Sequence, residues 1–175
     1  MTVAGPFWIA AALLVLAGAQ KVVSPRSTVD ALRALGLSFP PVLVRFGAGA
    51  EAVVGAVALT TGWRALAGVV GLLYLSFVAF LSVRLRRDGD AAAPCGCLGA
   101  HDAPPTPTHL VITVAGATCA LLATLWPVPG LLHALRDEPM GTVTMAALVI
   151  LGCWFSMLAF TALPRLAALR HGTAT

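Results

Sequence analysis

The sequence predicts an all-α integral membrane protein, a bundle of five hydrophobic helices with almost no soluble part. Of its 175 residues, 59% are hydrophobic and only 10% are charged, and the mean hydropathy is +0.92. A soluble domain carries charge on roughly a quarter of its residues, so most of this surface is expected to face lipid. A spanning helix takes about 20 residues, so five spans leave no room for a separate soluble catalytic domain.

The first span is expected at residues 6–23. Ala17-Gly18-Ala19 resembles a signal-peptidase site, but no basic residue precedes the apolar core and Lys21 follows it, so we expect a retained helix. A polar stretch at residues 25–39 comes next. There Ser27 can cap a short amphipathic helix, ended by Gly36, that lies along the membrane interface.

Four further spans are expected, each bounded by proline or charge. The second opens at Pro40-Pro41, the third ends in an arginine cluster, and prolines close the fourth and fifth. Their predicted limits are residues 41–61, 64–83, 108–126 and 142–163, with a short polar tail at 164–175.

The basic residues predict how the chain lies in the membrane. With five spans, one side of the membrane carries Lys21, Arg26, Arg33, Arg45, Arg84, Arg86, Arg87, Arg165 and Arg170, and the other carries Arg64 and Arg136. Because positive charge stays inside, we expect a multi-pass protein of the cell membrane with its N-terminus outside and the loop at 88–107 cytoplasmic. Basic residues scattered over loop ends do not form a nucleic-acid surface.

The sharpest candidate site is Cys95-Gly96-Cys97-Leu98-Gly99 in the loop at 88–107. Two cysteines one residue apart can close a small strained disulfide, and glycine supplies the backbone freedom. Strained, exposed disulfides exchange readily, which suits a redox pair. Metal binding is an alternative, with His101 as a third ligand, but the second cysteine pair of strong zinc sites is absent, and we expect no metal. Two unpaired thiols are the other alternative.

The second candidate is Glu51, about ten residues into its span and therefore about 15 Å deep by helix rise. A carboxylate near the bilayer middle is costly, so it should face the interior and be paired, protonated or on a polar path. Gly47, Glu51 and Gly55 share one helix face, where small residues allow another helix to approach. Lys21 and Arg84 end neighbouring spans and either can reach Glu51. The alternative is a protonated side chain that only holds two helices together.

Cys119 and Cys153 each fall near the middle of a span. Buried thiols in apolar surroundings are usually inert small hydrophobes. Their similar depth leaves open a second pair that receives electrons from the loop.

These residues, in this order, resemble the MauE family of membrane proteins, named for methylamine utilisation. The resemblance rests on Lys21 closing the first helix, on Glu51 with Gly55, on Arg84 closing the third helix, and on the block at 95–99. It covers residues 5–126, a four-helix unit similar to the DoxX-like bundle, and leaves 142–163 as an additional helix. Leu98 stands where the family usually has phenylalanine, and Thr108-His109 where it commonly has Arg-Asn.

The resemblance implies a redox role. MauE proteins are associated with maturing the disulfide-rich small subunit of periplasmic methylamine dehydrogenase, beside a thioredoxin-like partner. Carried over, Cys95 and Cys97 are the redox pair, and Glu51 and Arg84 are polar residues of the bundle.

The leading hypothesis is a membrane thiol–disulfide relay that serves an exported client. It would pass electrons between a thioredoxin-like protein and either a quinone or another thiol protein, with Glu51 handling the proton. One alternative is a non-enzymatic scaffold or assembly subunit. Another is a small-solute carrier with Glu51 as its proton-linked residue, which would need an oligomer.

Overall fold

The structure, a computed structural model, describes residues 4–88 and 106–172, and the side chains of 4–87 and 106–162. This part of the chain is helical and contains no strand. The helices are α1 (Ala4–Val23), α2 (Arg26–Ala34), α3 (Pro41–Thr61), α4 (Arg64–Asp88), α5 (Pro107–Leu125), α6 (Leu131–Asp137) and α7 (Pro139–Gly172). Five of them, α1, α3, α4, α5 and α7, are long and apolar enough to cross a membrane. The predicted all-α membrane fold is confirmed.

Three details differ from the prediction. Pro25, not Ser27, occupies the N-cap of α2, and it offers no side-chain hydrogen bond to the helix; proline has the backbone φ that a helix start needs. Helix α7 continues through Pro164 to Gly172, so Pro164 does not end the helix, although the candidate membrane span within it, Pro139–Ala162, ends close to the predicted limit of residue 163. A proline removes one backbone bond, but the leucines, alanines and arginines around this one are strong helix formers. The short helix α6 was not anticipated.

Helix α2 ends as predicted at Gly36. Gly36 has a φ of +82°, and its N–H bonds to the carbonyl of Arg33 while the N–H of Leu37 bonds to that of Leu32. This paired closure needs a left-handed residue, which glycine provides without strain. Val29 and Ala31 are buried, so one side of α2 packs on the bundle and the chain turns from it into α3.

Helices α1 and α3 cross at very close range because glycines stand at the crossing. A Cβ on Gly18 would lie 2.6 Å from the carbonyl oxygen of Ala48, and one on Gly55 would lie 2.8 Å from that of Ala11. Backbones approach this closely only where side chains are missing. Helix α1 also packs against α5 and α7, and α4 packs on α5, so α1 is the central helix.

The two ends of the bundle differ in packing. At the end where α3 ends and α4 begins, Gly62 and Gly130 meet backbone to backbone. There the indole N–H of Trp8 donates to the carbonyl of Pro129 (3.2 Å), and the guanidinium of Arg64 donates to that of Leu125 (3.0 Å). Backbone contacts therefore join the helices at this end, beside a cavity of about 430 Å³ that Trp8 and Pro129 help to line.

The outside of the bundle is apolar. Large side chains that no other helix covers include Phe46, Leu72, Val111, Ile150 and Trp154. In water such a surface would drive aggregation; on spanning helices it is the surface that contacts lipid.

Substitution of Gly18 by alanine should destabilise the protein by about 1–3 kcal/mol, because the added methyl group overlaps the backbone of Ala48 and Ala52 and overpacking costs that much. Gly47→Ala is the matched control, since a Cβ there meets nothing within 4 Å. The control should gain up to about 1 kcal/mol from better helix propensity. Denaturation of the purified proteins in detergent measures both, and equal stability of Gly18→Ala and the wild type would contradict the crossing described above.

Candidate functional site

Buried polar side chains gather at one end of the bundle, which we call the loop end. There α1 and α4 end and α3 and α5 begin, so residues 89–105 join the bundle at this end. Charged or titratable side chains with little or no exposure in the half of the bundle nearest this end are Lys21, Glu51, Arg84 and His109. Buried charge in a membrane protein is costly and marks a functional site.

Lys21 and Glu51 form an ion pair across the α1–α3 crossing. The Nζ of Lys21 donates to Oε2 of Glu51 at 2.7 Å, and the two side chains are 6% and 17% exposed. The same Nζ lies 4.4 Å from the centre of the Phe77 ring, so the ammonium also has a cation–π partner. Of the two cations that the sequence predicts can reach Glu51, the structure pairs Lys21 with it.

The close crossing makes this pair possible. Gly18 lies three residues before Lys21 and touches the backbone of Ala48 and Ala52, which flank Glu51 on α3. A bulkier residue would separate the helices and stretch the bond. The sequence placed Gly47 on the same face as Glu51, but a Cβ added at Gly47 would meet no other atom within 4 Å. Gly47 faces a cavity instead of another helix.

Arg84 is 1% exposed near the end of α4. A guanidinium stays charged in proteins, so Arg84 adds a permanent positive charge to the interior of the loop end. It is one of the largest fully buried side chains among the described residues.

His109 is a site residue that was not predicted from the sequence. Its side chain is 1% exposed and stacks on Phe160 with ring centres 4.8 Å apart. The backbone N–H of Thr106 donates to Nδ1 (3.3 Å), so the neutral ring carries its proton on Nε2. That Nε2 is buried with no hydrogen-bond partner among the described residues. The sequence signal for this arrangement is Thr106-Pro107-Thr108-His109, which has the spacing of a capping box.

Two cavities lie on either side of Lys21. The larger, of about 360 Å³, lies between α1, α2, α3 and α4. The smaller, of about 60 Å³, is lined by Lys21, Tyr74, His109, Thr113 and Phe160 among others. Most of its wall is apolar, with a few polar side chains among the lining residues, and a space of this size can hold one or two water molecules.

The two mid-membrane cysteines lie apart from these cavities. Cys153 is buried, with Sγ 3.9 Å from the carbonyl oxygen of Ile9, and Cys119 is half-buried. Both are free thiols, and neither lines either cavity. Their role as a second electron-carrying pair stays a prediction.

Cys95, Cys97 and His101 lie outside the described residues. Within the described ranges, no group of three His, Cys, Asp or Glu side chains is placed to hold a metal ion.

A family model described as methylamine utilisation protein MauE matches residues 1–127. The chain belongs to the MauE family. The match spans α1 to α5 and includes Lys21, Glu51, Arg84 and His109, whereas α6 and α7 follow it. Comparisons with curated proteins and with solved structures gave no match. The family makes this protein a membrane component of the methylamine-utilisation type.

Breaking the ion pair from one side should cost more than removing it whole. Lys21→Met leaves the carboxylate of Glu51 without its cation and should destabilise the protein by about 3–5 kcal/mol. Glu51→Gln keeps an oxygen that accepts from Lys21 and should cost less. The double variant should be more stable than the sum of the two losses predicts, because no lone charge remains. A double-mutant cycle by denaturation in detergent measures this, and strictly additive losses would rule out the pair.

Proposed function

We propose that this MauE-family protein is a membrane thiol–disulfide relay whose redox pair is Cys95 and Cys97. The observation that supports it best is the position of the buried Lys21–Glu51 pair. The pair lies in the half of the bundle nearest the loop end, where the segment that carries both cysteines joins the helices: Lys21 is two residues before the end of α1, and Glu51 is midway along α3. Buried charge inside a membrane protein is costly and is the usual mark of a functional site or path.

The reaction is an exchange of electron pairs between sulfurs. A dithiol of a thioredoxin-like protein attacks the Cys95–Cys97 disulfide, a mixed disulfide forms, and its second thiolate releases the reduced pair. The partner leaves as a disulfide, and the relay has gained two electrons and two protons. The reverse direction oxidises the partner, and through it the exported client.

The proton that accompanies each sulfur needs a nearby acceptor or donor. Glu51 uses only Oε2 toward Lys21 among the described residues, which leaves Oε1 able to accept. Lys21 lines both cavities, so the pair connects the interior of the loop end with the larger cavity. We assign proton handling to Glu51 and the positioning of its carboxylate to Lys21.

A scaffold role is the second candidate, favoured by the same ion pair, which holds α1 against α3 whether or not the thiols react. The two functions differ in what they need. A scaffold matures its client without the loop cysteines, whereas a relay does not.

Serine substitution of the loop cysteines should separate these candidates. One single variant should accumulate a mixed disulfide with the thioredoxin-like partner, because the resolving thiol is missing. The other single variant and the double variant should form none, and the client should stay in its immature redox state. Gel mobility after alkylation of the free thiols measures both species.

Cys119→Ala is the matched control, because that thiol lies in a spanning helix away from the loop end. It should leave the mixed disulfide unchanged, because the exchange with the partner needs only the loop cysteines. A mature client in cells that carry only the Cys95→Ser/Cys97→Ser variant would overturn the relay and leave the scaffold.

We also propose that the loop end faces the cytoplasm. Lys21 and Arg84 are buried inside the bundle and can be left out of the count of topology signals. Seven basic residues then remain on that side against two on the other. The bias of positive charge toward the inside therefore remains when the two buried cations are left out.

A membrane-impermeant maleimide should then label the reduced loop cysteines in inverted membrane vesicles and not in intact cells. The Cys95→Ser/Cys97→Ser variant gives the background from Cys119 and Cys153. Labelling in intact cells above that background would place the loop end outside.

A further inference from the structure

We propose that the larger cavity at the loop end binds the head ring of a membrane quinone, held between Lys21 and Glu51. The inference rests on the proposed function for the source of its electrons, but not for the binding itself. The binding depends only on described residues.

The size and the walls of the cavity suit such a ring. Its volume of about 360 Å³ falls at the lower end of the range for small-molecule sites. Three phenylalanines and several aliphatic side chains make most of the wall: Leu32, Phe39, Leu43, Val44, Phe77 and Phe80. A flat, mostly apolar ligand fits these walls.

The rim of the cavity opens on the side of the bundle that faces the membrane. Phe39 and Leu43 line it and are 40% and 52% exposed. Leu43 belongs to the first turn of the spanning helix α3, and Phe39 lies just before that helix. A ligand with a long apolar tail can therefore leave its tail in lipid while its head enters.

The polar floor selects a neutral ligand. Lys21 and Glu51 neutralise each other at 2.7 Å, so a charged head group of either sign would meet one like charge. The ammonium carries three donors and uses one on Glu51, and Oε1 of Glu51 accepts nothing from the described residues. A neutral group with one acceptor and, after reduction, one donor satisfies both atoms.

A quinone has this chemistry. Its carbonyl oxygen accepts from the Lys21 ammonium, and after reduction a quinol hydroxyl donates to Oε1 of Glu51. In the complete reaction the Cys95 and Cys97 thiols lose two electrons and two protons as their S–S bond forms. The quinone gains the same two electrons and two protons as two O–H bonds, so the reaction balances without a further reactant.

Gly47 is a position where a larger side chain can block the cavity. Gly47 lines the cavity, and a Cβ added there meets nothing within 4 Å, so Gly47→Leu places its side chain in the empty space. Gly49→Leu is the matched control: it is the same substitution two residues along α3, outside the cavity lining, where a Cβ meets only Val22 at 4.0 Å.

The test is calorimetric titration of decylubiquinone into the full-length protein in nanodiscs. The wild type and Gly49→Leu should bind equally well, and Gly47→Leu should bind at least about tenfold more weakly. Glu51→Gln should weaken binding of the reduced quinol more than that of the quinone, because only the quinol donates to Glu51. Equal binding by Gly47→Leu and the wild type overturns the proposal, as does absence of binding to the wild type.

Two further measurements distinguish binding of the quinone ring from binding of its tail, and binding in the cavity from electron transfer by the relay. Decanol should not displace decylubiquinone at equal concentration; if it does, the cavity takes an apolar chain and the proposal fails. The Cys95→Ser/Cys97→Ser variant should bind the quinone like the wild type but form no quinol from it. Quinone binding by the wild type without thiol-dependent quinol formation supports the cavity as a binding site and removes the quinone as the electron acceptor of the relay.

Discussion

The ion pair between Lys21 and Glu51 is the interaction on which the rest of the structure depends. Each charge alone would be costly inside a membrane. Together the two charges are stable only at short range and with hydrogen-bond partners for their remaining polar atoms. The 2.7 Å contact in turn requires α1 and α3 to cross without side chains between them, which Gly18 and Gly55 permit. The central packing of the bundle and its buried charge are therefore one arrangement.

The two ends of the bundle differ in the groups that join the helices. At the end with Gly62 and Gly130, backbone contacts and bonds to main-chain carbonyls hold the helices together beside a cavity of about 430 Å³. Toward the loop end, buried polar side chains and the ion pair lie beside two other cavities. The family match ends at residue 127 and so includes both residues of the ion pair, whereas Phe160, which covers His109, lies on α7.

Much of the fold could be predicted from the sequence because its determinants are local. Hydropathy locates the spans, and α3 begins and ends at the predicted residues since Pro41 and Gly62 are strong boundary signals. Pro164 predicted a helix end that the structure does not show, because the strong helix formers on both sides of this proline continue the helix to Gly172. The short helix α6 lacks a span's hydropathy, so composition gave no sign of it.

The site could be predicted only in part, because it depends on contacts between distant segments. Helix rise alone gives the depth of Glu51, but which cation meets it is decided by how closely α1 and α3 cross. In the sequence His109 is a polar residue at a helix start, and only the structure shows that Phe160 of α7 covers it. The cavity beside Gly47 exists because α2 folds back over α3, and neither helix encodes that space by itself.

The central claim is that Glu51 exchanges its proton in step with the loop thiols, and infrared difference spectroscopy tests it most directly. Spectra of the reduced minus the oxidised protein, in membranes, should show a carboxyl band that disappears in Glu51→Gln and also in Cys95→Ser/Cys97→Ser. A difference spectrum that is the same in Glu51→Gln as in the wild type would contradict the coupling and reduce the ion pair to a structural contact.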